Sequence, residues 1–328
     1  MAPVISESGQ GPRIGVLTNP LSGKNRKGLE IISQTISEYP QAIRHNVQTP
    51  RDVHDALIDF AGHKVDLVVI SGGDGTVQAV LTTLFHHQPF TTQPQLIVLE
   101  AGTTNMIAGD VGILGDQNKA LHRLFQWAQT GSAGVTKIQR PVIRLQVPGH
   151  EVKCGMFFGA ASISQGIQYY HKNLHNKGLR GFPGICFTLA RYLWVTICTH
   201  RQSAPATRIE FGLNRQPLQK ENFLLLFVST LERLFFGMRP FWGNENGSLR
   251  FTAIRSPTKY LLRVLPFLSR GRQTSKGTLE NGYYSNNVDE VKLFLDSPVA
   301  LDGEIYIPQS IQEPTVLQCG GIATFLRL

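Results

Sequence analysis

The sequence predicts an α/β N-terminal domain built on a parallel sheet, followed by a mainly antiparallel β-sandwich domain. Apolar strand-like runs alternate with segments of helical period in the first third of the chain, the order typical of a parallel sheet covered by helices. From Lys137 onward, short apolar or alternating runs are separated by Gly and Pro, as in antiparallel sheets. We therefore place the domains at residues 1–134 and 135–328, and leave open a return of the last residues to the first domain.

The central stretch of the first domain is Val65–Val80. Val65–Ile70 is a β-branched, apolar run typical of a strand buried on both faces of a sheet. Small residues follow at Ser71–Gly75, and helical periodicity returns over Thr76–His86. Glycines let a bulky anion approach the backbone, and the helix start offers free N–H groups, so phosphate is the expected ligand. A plain hairpin or turn is the alternative.

The other elements of this domain alternate between strand and helix. Two strand-helix pairs precede Val65, and one strand followed by a turn and a helix comes after the central stretch. Their predicted bounds are a strand at Arg13–Thr18, a helix through Leu29, Ile32 and Ile36 that ends at Tyr39–Pro40, a strand at Ala42–Val47, a helix at Asp52–Phe60, a strand at Gln95–Leu99 and a helix at Asn118–Thr130.

Two further loops follow strands in the same way as the central one. Asn19–Lys24 contains Asn-Pro and Ser-Gly turn dipeptides, and Glu100–Ala108 contains a glycine turn that leads into a helix start. Each loop alone is equally well explained as an ordinary βα connection. Because ligands of such sheets bind at the carboxyl ends of strands, we expect the three loops to line one pocket.

The second domain is expected to contain strands that end in a late hairpin. The strands are predicted at Val142–Val147, Val152–Phe158, Thr207–Phe211, Phe223–Ser229 and Leu249–Ile254. Val299–Ile307 reads as strand, Asp-Gly turn, strand, which favours a tight hairpin with a rigidly held carboxylate. Two apolar stretches stand apart: Gly181–Thr199 is expected to be a buried or interfacial helix because Arg191 interrupts it, and Lys259–Leu268 has basic flanks suited to lipid contact.

Composition excludes several classes of protein. The chain has 328 residues, 41% hydrophobic and 17% charged, and carries a net charge of +9. This basic excess is compatible with nucleic acid, an anionic membrane or a phosphorylated substrate, but no aromatic-basic ladder of the RNA-binding type is present. Four scattered cysteines give neither a zinc motif nor a disulfide framework. No secretory signal is visible, so we expect a cytoplasmic protein.

Four motifs together resemble the diacylglycerol kinase catalytic family, which includes bacterial soluble lipid kinases and sphingosine kinases. They are Asn19-Pro20-x-Ser22-Gly23, Gly72-Gly73-Asp74-Gly75-Thr76, Gly102-Thr103-x-Asn105-x-x-Ala108 and Asp302-Gly303-Glu304. Each motif is weak alone, but their order and spacing across Ile14–Ile307 are specific. The resemblance implies an NAD kinase/diacylglycerol kinase-like fold and an ATP-dependent lipid kinase that transfers the γ-phosphoryl to a lipid alcohol such as diacylglycerol.

The resemblance also implies site residues and partners. The phosphates of ATP are expected on Asn19, Pro20, Ser22, Gly23 and Gly72–Thr76, with Thr49, Gly102, Thr103 and Asn105 also in the nucleotide site. Asp74 is expected to organise Mg²⁺ and the phosphates, and Glu304 to act as general base. The expected partners are the lipid alcohol and an anionic membrane at its inner face, without nucleic acid; a homodimer is left open.

Two positions depart from the family pattern, and two other functions remain as alternatives. Gln78-Ala79 replaces the usual Asn-Glu after the glycine turn, and Gly243–Leu249 lacks the aspartates of a structural magnesium loop, which predicts a weakened metal site. An NAD kinase leaves Asn19–Gly23 and Asp302–Glu304 without a role. A catalytically inactive lipid- or nucleotide-binding regulator is the third reading. The sequence does not identify the acceptor lipid.

Overall fold

The computed structural model describes residues 11–102, 104–131, 134–173 and 206–328. The chain divides into two compact units: unit 1 comprises residues 1–140 and 322–328, and unit 2 comprises residues 141–321. The change from one unit to the other falls at Arg140, whereas the sequence placed the domain boundary at 134. The predicted helix at Gly181–Thr199 and the residue Thr103 lie outside the described residues.

Unit 1 is an α/β fold with a parallel sheet, as predicted. Its strands run in the order β2-β1-β3-β4, and every pairing among them is parallel. The strands are β1 (Ile14–Thr18), β2 (Ile43–Asn46), β3 (Leu67–Gly72) and β4 (Gln95–Glu100). The helices are α1 (Asn25–Ser37), α2 (Pro50–Gly62), α3 (Asp74–Thr82), α4 (Met106–Val111) and α5 (Gln117–Thr130). All six residues of β3 are buried, because helices cover both faces of a sheet of this kind.

The predicted bounds were wrong at two places around β3. Ser71 and Gly72 continue the strand instead of forming the turn, and the helix begins at Asp74 rather than at Thr76. Gly73 has extended backbone geometry as the N-cap of α3, so one residue is enough to pass from strand to helix. The α-helix also ends at Thr82, and a π-helical turn covers Thr83–His87 before Gln88 takes a left-handed conformation.

Unit 2 is an antiparallel, β-rich unit, which confirms the predicted strand type. Its strands are β5 (Thr136–Gln146, which begins in unit 1), β6 (Lys153–Gly155), β7 (Phe157–Ala161), β8 (Thr207–Leu213), β9 (Gln219–Ser229), β10 (Leu249–Arg255), β11 (Tyr283–Val288), β12 (Glu290–Phe294), β13 (Val299–Leu301), β14 (Glu304–Tyr306) and β15 (Thr315–Arg327, which ends in unit 1). The single strand predicted at Val152–Phe158 is two strands, because Met156 interrupts the pairing.

The core of unit 2 forms around β9, which pairs antiparallel with β7, β8 and β10. Aromatic side chains are buried there: Phe211 stacks on Phe251 and meets Phe223 edge to face. Two α-helices of this unit are described: α6 (Ser162–Asn173), which the sequence did not predict, and α7 (Leu261–Leu268). In the described part of the chain, no helix has the length and apolarity that crossing a bilayer requires.

Candidate functional site

Three loops of unit 1 are tied together at the carboxyl ends of β1, β3 and β4. The Asn19 side-chain amide donates to Thr76 Oγ1 at 2.9 Å, and Gly73 N–H donates to Ser22 Oγ at 3.2 Å. The Lys24 N–H donates to the carbonyl of Ala101 at 2.9 Å. Hydrogen bonds therefore link the first loop to both of the others. These three predicted strand ends form one cluster, which we call the loop cluster (residues 19–24, 72–76, 100–102 and 104–105).

Two glycines bring the second and third loops into van der Waals contact. A Cβ atom added to Gly102 would lie 2.7 Å from Gly73 Cα and 2.9 Å from Asn105 Oδ1. The nearest atom is backbone, which cannot swing aside as a long side chain does. Gly72 is similarly restricted, because a Cβ there would lie 2.6 Å from the side chain of Thr76. Glycine is therefore required at these positions by packing, and Gly73 and Gly102 remain partly exposed.

The N-terminus of α3 provides the donor groups of the loop cluster. The first N–H groups of a helix have no partner inside the helix. Gly73 N–H meets Ser22 Oγ, and Thr76 N–H turns back to the Gly73 carbonyl at 2.9 Å. Among the described residues, no acceptor faces the N–H groups of Asp74 and Gly75. Free N–H groups and the partial positive charge of a helix start are the usual features of a phosphate site.

Asp74 is partly buried and joins α3 to α4. Its Oδ2 accepts the N–H of Met106 at 3.2 Å and its Oδ1 accepts the N–H of Ile107 at 3.1 Å. Burial raises the pKa of this carboxyl above its ordinary value, and the two backbone hydrogen bonds only partly offset the effect. Asp74 thus caps α4 from the neighbouring loop and positions the loop cluster.

Asn105 contributes a polar atom that the protein itself does not satisfy. Its backbone is left-handed (φ 49°), and its amide nitrogen donates to the Gly102 carbonyl at 2.8 Å and to Glu100 Oε1 at 3.2 Å. Its Oδ1 is buried and meets no hydrogen-bond donor in the described part of the chain. Because an unsatisfied buried oxygen is costly, this atom is a candidate acceptor for a ligand group.

Sequence reasoning missed an ion pair at the edge of the loop cluster. Lys24 Nζ lies 2.8 Å from Glu100 Oε1, and the Gly115 N–H donates to Glu100 Oε2 at 3.0 Å. Burial opposes ionisation of Glu100, but Lys24 and the Gly115 N–H outweigh it, so the pKa of this carboxyl lies below its ordinary value. The ammonium group of Lys24 therefore stands beside the loops that offer phosphate donors. Its place directly after Ser22-Gly23 was the only signal in the sequence.

A buried polar network that sequence reasoning also missed supports the first loop. Asn25 Nδ2 donates to the carbonyls of Asn19 and Ser71 at 2.8 and 3.0 Å, and Gln117 Nε2 donates to Asn25 Oδ1 at 3.1 Å. Asn25 and Ser71 have no exposed surface. A network satisfied in this way fixes the loop on the end of β3.

Thr49 is the N-cap residue of α2. Its Oγ1 accepts the N–H of Asp52 at 3.2 Å, and Asp52 Oδ2 accepts the N–H of Thr49 at 2.9 Å, which is a capping box at the start of α2. The structure thus shows how Thr49 begins the helix after β2. Its proposed contact with the nucleotide stays a prediction.

Glu304 and Asp302 lie in the predicted hairpin of unit 2 and differ in their surroundings. Asp302 and Gly303 have positive φ angles of 47° and 94°, and Leu301 pairs with Glu304 across the turn. Asp302 is only 6% exposed, and its Oδ1 accepts the Phe157 N–H at 2.9 Å while its Oδ2 accepts the Met156 N–H at 3.0 Å. Glu304, in contrast, is exposed. The turn is anchored by one carboxylate and presents the other to solvent.

No group of three or more His, Cys, Asp or Glu side chains suited to a metal ion occurs in the described ranges. In the Gly243–Leu249 loop, Glu245 accepts hydrogen bonds from the Asn286 amide at 2.8 Å and from the Asn287 N–H at 3.0 Å. Protein groups therefore occupy the carboxylate of that loop. A magnesium ion that arrives with nucleotide phosphates needs only one or two protein carboxylates, and the loop cluster offers Asp74 and Glu100.

Comparison with known proteins agrees with this architecture. Residues 13–136 match the family model of the diacylglycerol kinase catalytic domain. The diacylglycerol kinase of Bacillus subtilis (strain 168) is 32% identical over 107 residues, which cover 31% of this chain and 33% of that protein. The chain thus matches about a third of the length of this curated relative.

Two crystal structures from Bacillus anthracis str. Sterne, both assigned as diacylglycerol kinases, share the fold. One has a TM-score of 0.63 and 17% identity, and the other has a TM-score of 0.58 and 16% identity. Each comparison covers 96% of both chains.

The parallel α/β unit with its glycine loop cluster, followed by an antiparallel β-rich unit, defines a protein of the diacylglycerol kinase-like fold. Within it, residues 13–136 are similar to the diacylglycerol kinase catalytic domain family.

Proposed function

We propose that the protein is an ATP-dependent lipid kinase that transfers the γ-phosphoryl group to the hydroxyl of a lipid alcohol such as diacylglycerol. The observation that carries this proposal is the loop cluster, in which Gly73 and Gly102 touch while the α3 N–H groups of Asp74 and Gly75 stay available. Phosphoryl transfer depends mainly on positioning the phosphates and on neutralising their charge. A rigid set of backbone N–H donors supplies the positioning.

The remaining groups of the loop cluster have complementary roles in this proposal. Lys24 neutralises phosphate charge, and it is held by Glu100 until phosphate competes for its ammonium group. The unsatisfied Oδ1 of Asn105 accepts a donor from the nucleotide. Asp74 fixes the relative position of α3 and α4 and, with Glu100, provides carboxylate oxygens for the magnesium ion, whose role is to offset the charge of the phosphates.

Glu304 is the proposed general base. A base must be reachable by the substrate hydroxyl, and Glu304 is exposed, whereas Asp302 is buried and fully engaged by backbone N–H groups. In this proposal its carboxylate accepts the proton of the lipid hydroxyl as the hydroxyl oxygen bonds to the γ-phosphorus. The bond from that phosphorus to the β–γ bridging oxygen breaks at the same time, and ADP leaves. The anchored turn keeps this side chain on a rigid support, which a flexible loop would not provide.

The test is transfer of label from γ-³²P ATP in the presence of Mg²⁺ to a panel of diacylglycerol, monoacylglycerol and sphingoid bases in detergent micelles. Wild-type protein should label at least one lipid, and Glu304→Gln should lower the rate by about 10²- to 10⁴-fold, the usual contribution of a general base. Glu313→Gln, another exposed glutamate of unit 2, is the matched control and should keep the wild-type rate.

Three other outcomes would reject parts of the proposal. Full transfer by Glu304→Gln removes Glu304 from the base role. Transfer to NAD instead of to any lipid supports the NAD kinase alternative. Nucleotide binding without transfer to any acceptor supports a regulator that has lost catalysis.

A further inference from the structure

Helix α7 carries apolar side chains on two opposite faces. One face packs into unit 2, against a small cluster that includes Leu224, Ile254 and Tyr283. The opposite face is not covered: Leu262 is 61% exposed and Phe267 is 46% exposed. A helix that only covers a core needs a single apolar face, so the second face requires another explanation.

The segment that follows the helix extends this exposed surface. A Cβ at Gly277 would lie 3.2 Å from Val264 Cγ1, so the segment folds back along α7. Lys276 Nζ lies 4.8 Å from the ring centre of Tyr260 at the helix start. Leu279, two residues after Gly277, is 58% exposed. We call the exposed side chains of Tyr260, Leu262, Phe267 and Leu279 the α7 patch.

The segment that carries the α7 patch is strongly basic, and Glu245, which lines one pocket together with Leu279, lies at its edge. Residues 256–279 contain five cations and no acidic residue; the cations are Lys259, Arg263, Arg270, Arg272 and Lys276. The first acidic residue beyond the patch is Glu280. Exposed apolar side chains ringed by Lys and Arg are typical of helices that lie in the interface of an anionic bilayer.

We propose that the α7 patch docks the protein on an anionic lipid bilayer, with Leu262 and Phe267 entering the acyl region and the surrounding cations pairing with lipid phosphates. This inference adds a membrane-binding surface to the proposed function. The biological purpose of that surface rests on the proposed function, because docking would bring the enzyme to an acceptor that resides in a membrane. A second copy of the chain is a poorer occupant, because two patches with five cations each would repel.

The experiment is co-sedimentation of the full chain, without nucleotide, with vesicles of pure phosphatidylcholine or with 40% phosphatidylglycerol. Wild-type protein should bind the anionic vesicles and should be released by high salt. The double variant Leu262→Glu/Phe267→Glu should bind at least tenfold more weakly. Ile311→Glu is the matched control, because Ile311 is exposed to a similar extent (58%) elsewhere in unit 2, and it should bind like wild type.

A second pair of variants tests the charges. The triple variant Arg263→Gln/Arg270→Gln/Arg272→Gln should lose about fivefold in affinity per cation. Its control replaces three exposed cations elsewhere, Lys119→Gln/Arg123→Gln/Arg215→Gln, and lowers the net charge equally. A larger loss of vesicle affinity in the first triple variant than in the second supports the proposal. Equal losses of affinity would mean that only the net charge of the protein matters, and would overturn the proposal.

The remaining outcomes overturn the proposal in distinct ways. If the Leu262/Phe267 variant binds vesicles as wild type does, another surface holds the membrane. If the same variant changes only the molecular mass in solution, the α7 patch is a contact between copies of the chain. Phosphorylation of a short-chain, water-soluble diacylglycerol should be equal in wild type and in the double variant; absence of this reaction in both, with vesicle binding intact, would refute the kinase and leave the docking surface standing.

Discussion

Replacing Asp302 by Asn should separate the structural acid of the late hairpin from the proposed catalytic one. Asn fits the left-handed conformation of this position, and Asn-Gly is a favoured hairpin turn, so the turn itself is preserved. The amide has only one acceptor oxygen, however, and its NH₂ group would face the Met156 N–H that Oδ2 now accepts at 3.0 Å. A hydrogen bond to a charged group contributes about 1.5–3 kcal/mol, so we expect unit 2 to lose about 2 kcal/mol.

The assay is thermal unfolding followed by circular dichroism. For a unit of the size of residues 141–321, a loss of about 2 kcal/mol lowers Tm by roughly 4–8 °C. Glu304→Gln is the matched variant two residues away. Its side chain is exposed, so its Tm should stay within the error of wild type while the rate of phosphoryl transfer falls by about 10²- to 10⁴-fold. A melting temperature of Asp302→Asn equal to that of wild type would refute the assignment of Asp302 as the anchor of the turn.

Three further predictions concern unit 1. Gly102→Ala places a Cβ 2.7 Å from Gly73 Cα, so we expect the free energy of unfolding in denaturant titrations to fall by about 1–3 kcal/mol and ATP binding by calorimetry to weaken. Gly109→Ala is the control: its Cβ would meet open space, so stability and ATP binding should both stay unchanged. Because burial raises the pKa of Asp74, the stabilising contribution of this carboxyl is complete below its ordinary pKa of 3.8 and is lost as the pH rises through the folded-state pKa. Asp74→Asn should therefore lower the free energy of unfolding more in acid than at neutral pH. A loss of stability that does not depend on pH would contradict the raised pKa. Thr49→Ala removes the helix cap and should cost about 1 kcal/mol, while Thr49→Ser should restore most of it; equal stability of the two variants would show that the cap is unimportant.

The sequence alone predicted the α/β class of unit 1, the antiparallel strands of unit 2 and the late hairpin. Periodicity carries this information, because a strand buried on both faces, such as β3, reads as one apolar run. It also predicted that the loops after β1, β3 and β4 belong together, because parallel strands end at the same edge of a sheet. Three of the four motifs that resemble the diacylglycerol kinase catalytic family lie in these same loops.

Only the tertiary structure decided which atoms of those loops are available. The sequence led us to expect that Asp74 organises Mg²⁺ and the phosphates, and the fold adds that each of its oxygens accepts an N–H group of α4. Nor does any local pattern pair Lys24 with Glu100 or bury Asn25 beneath the first loop, since these contacts join residues far apart in the chain. Local periodicity specifies elements, whereas the partners of a polar side chain depend on which elements meet, and that is settled only when the whole chain has packed.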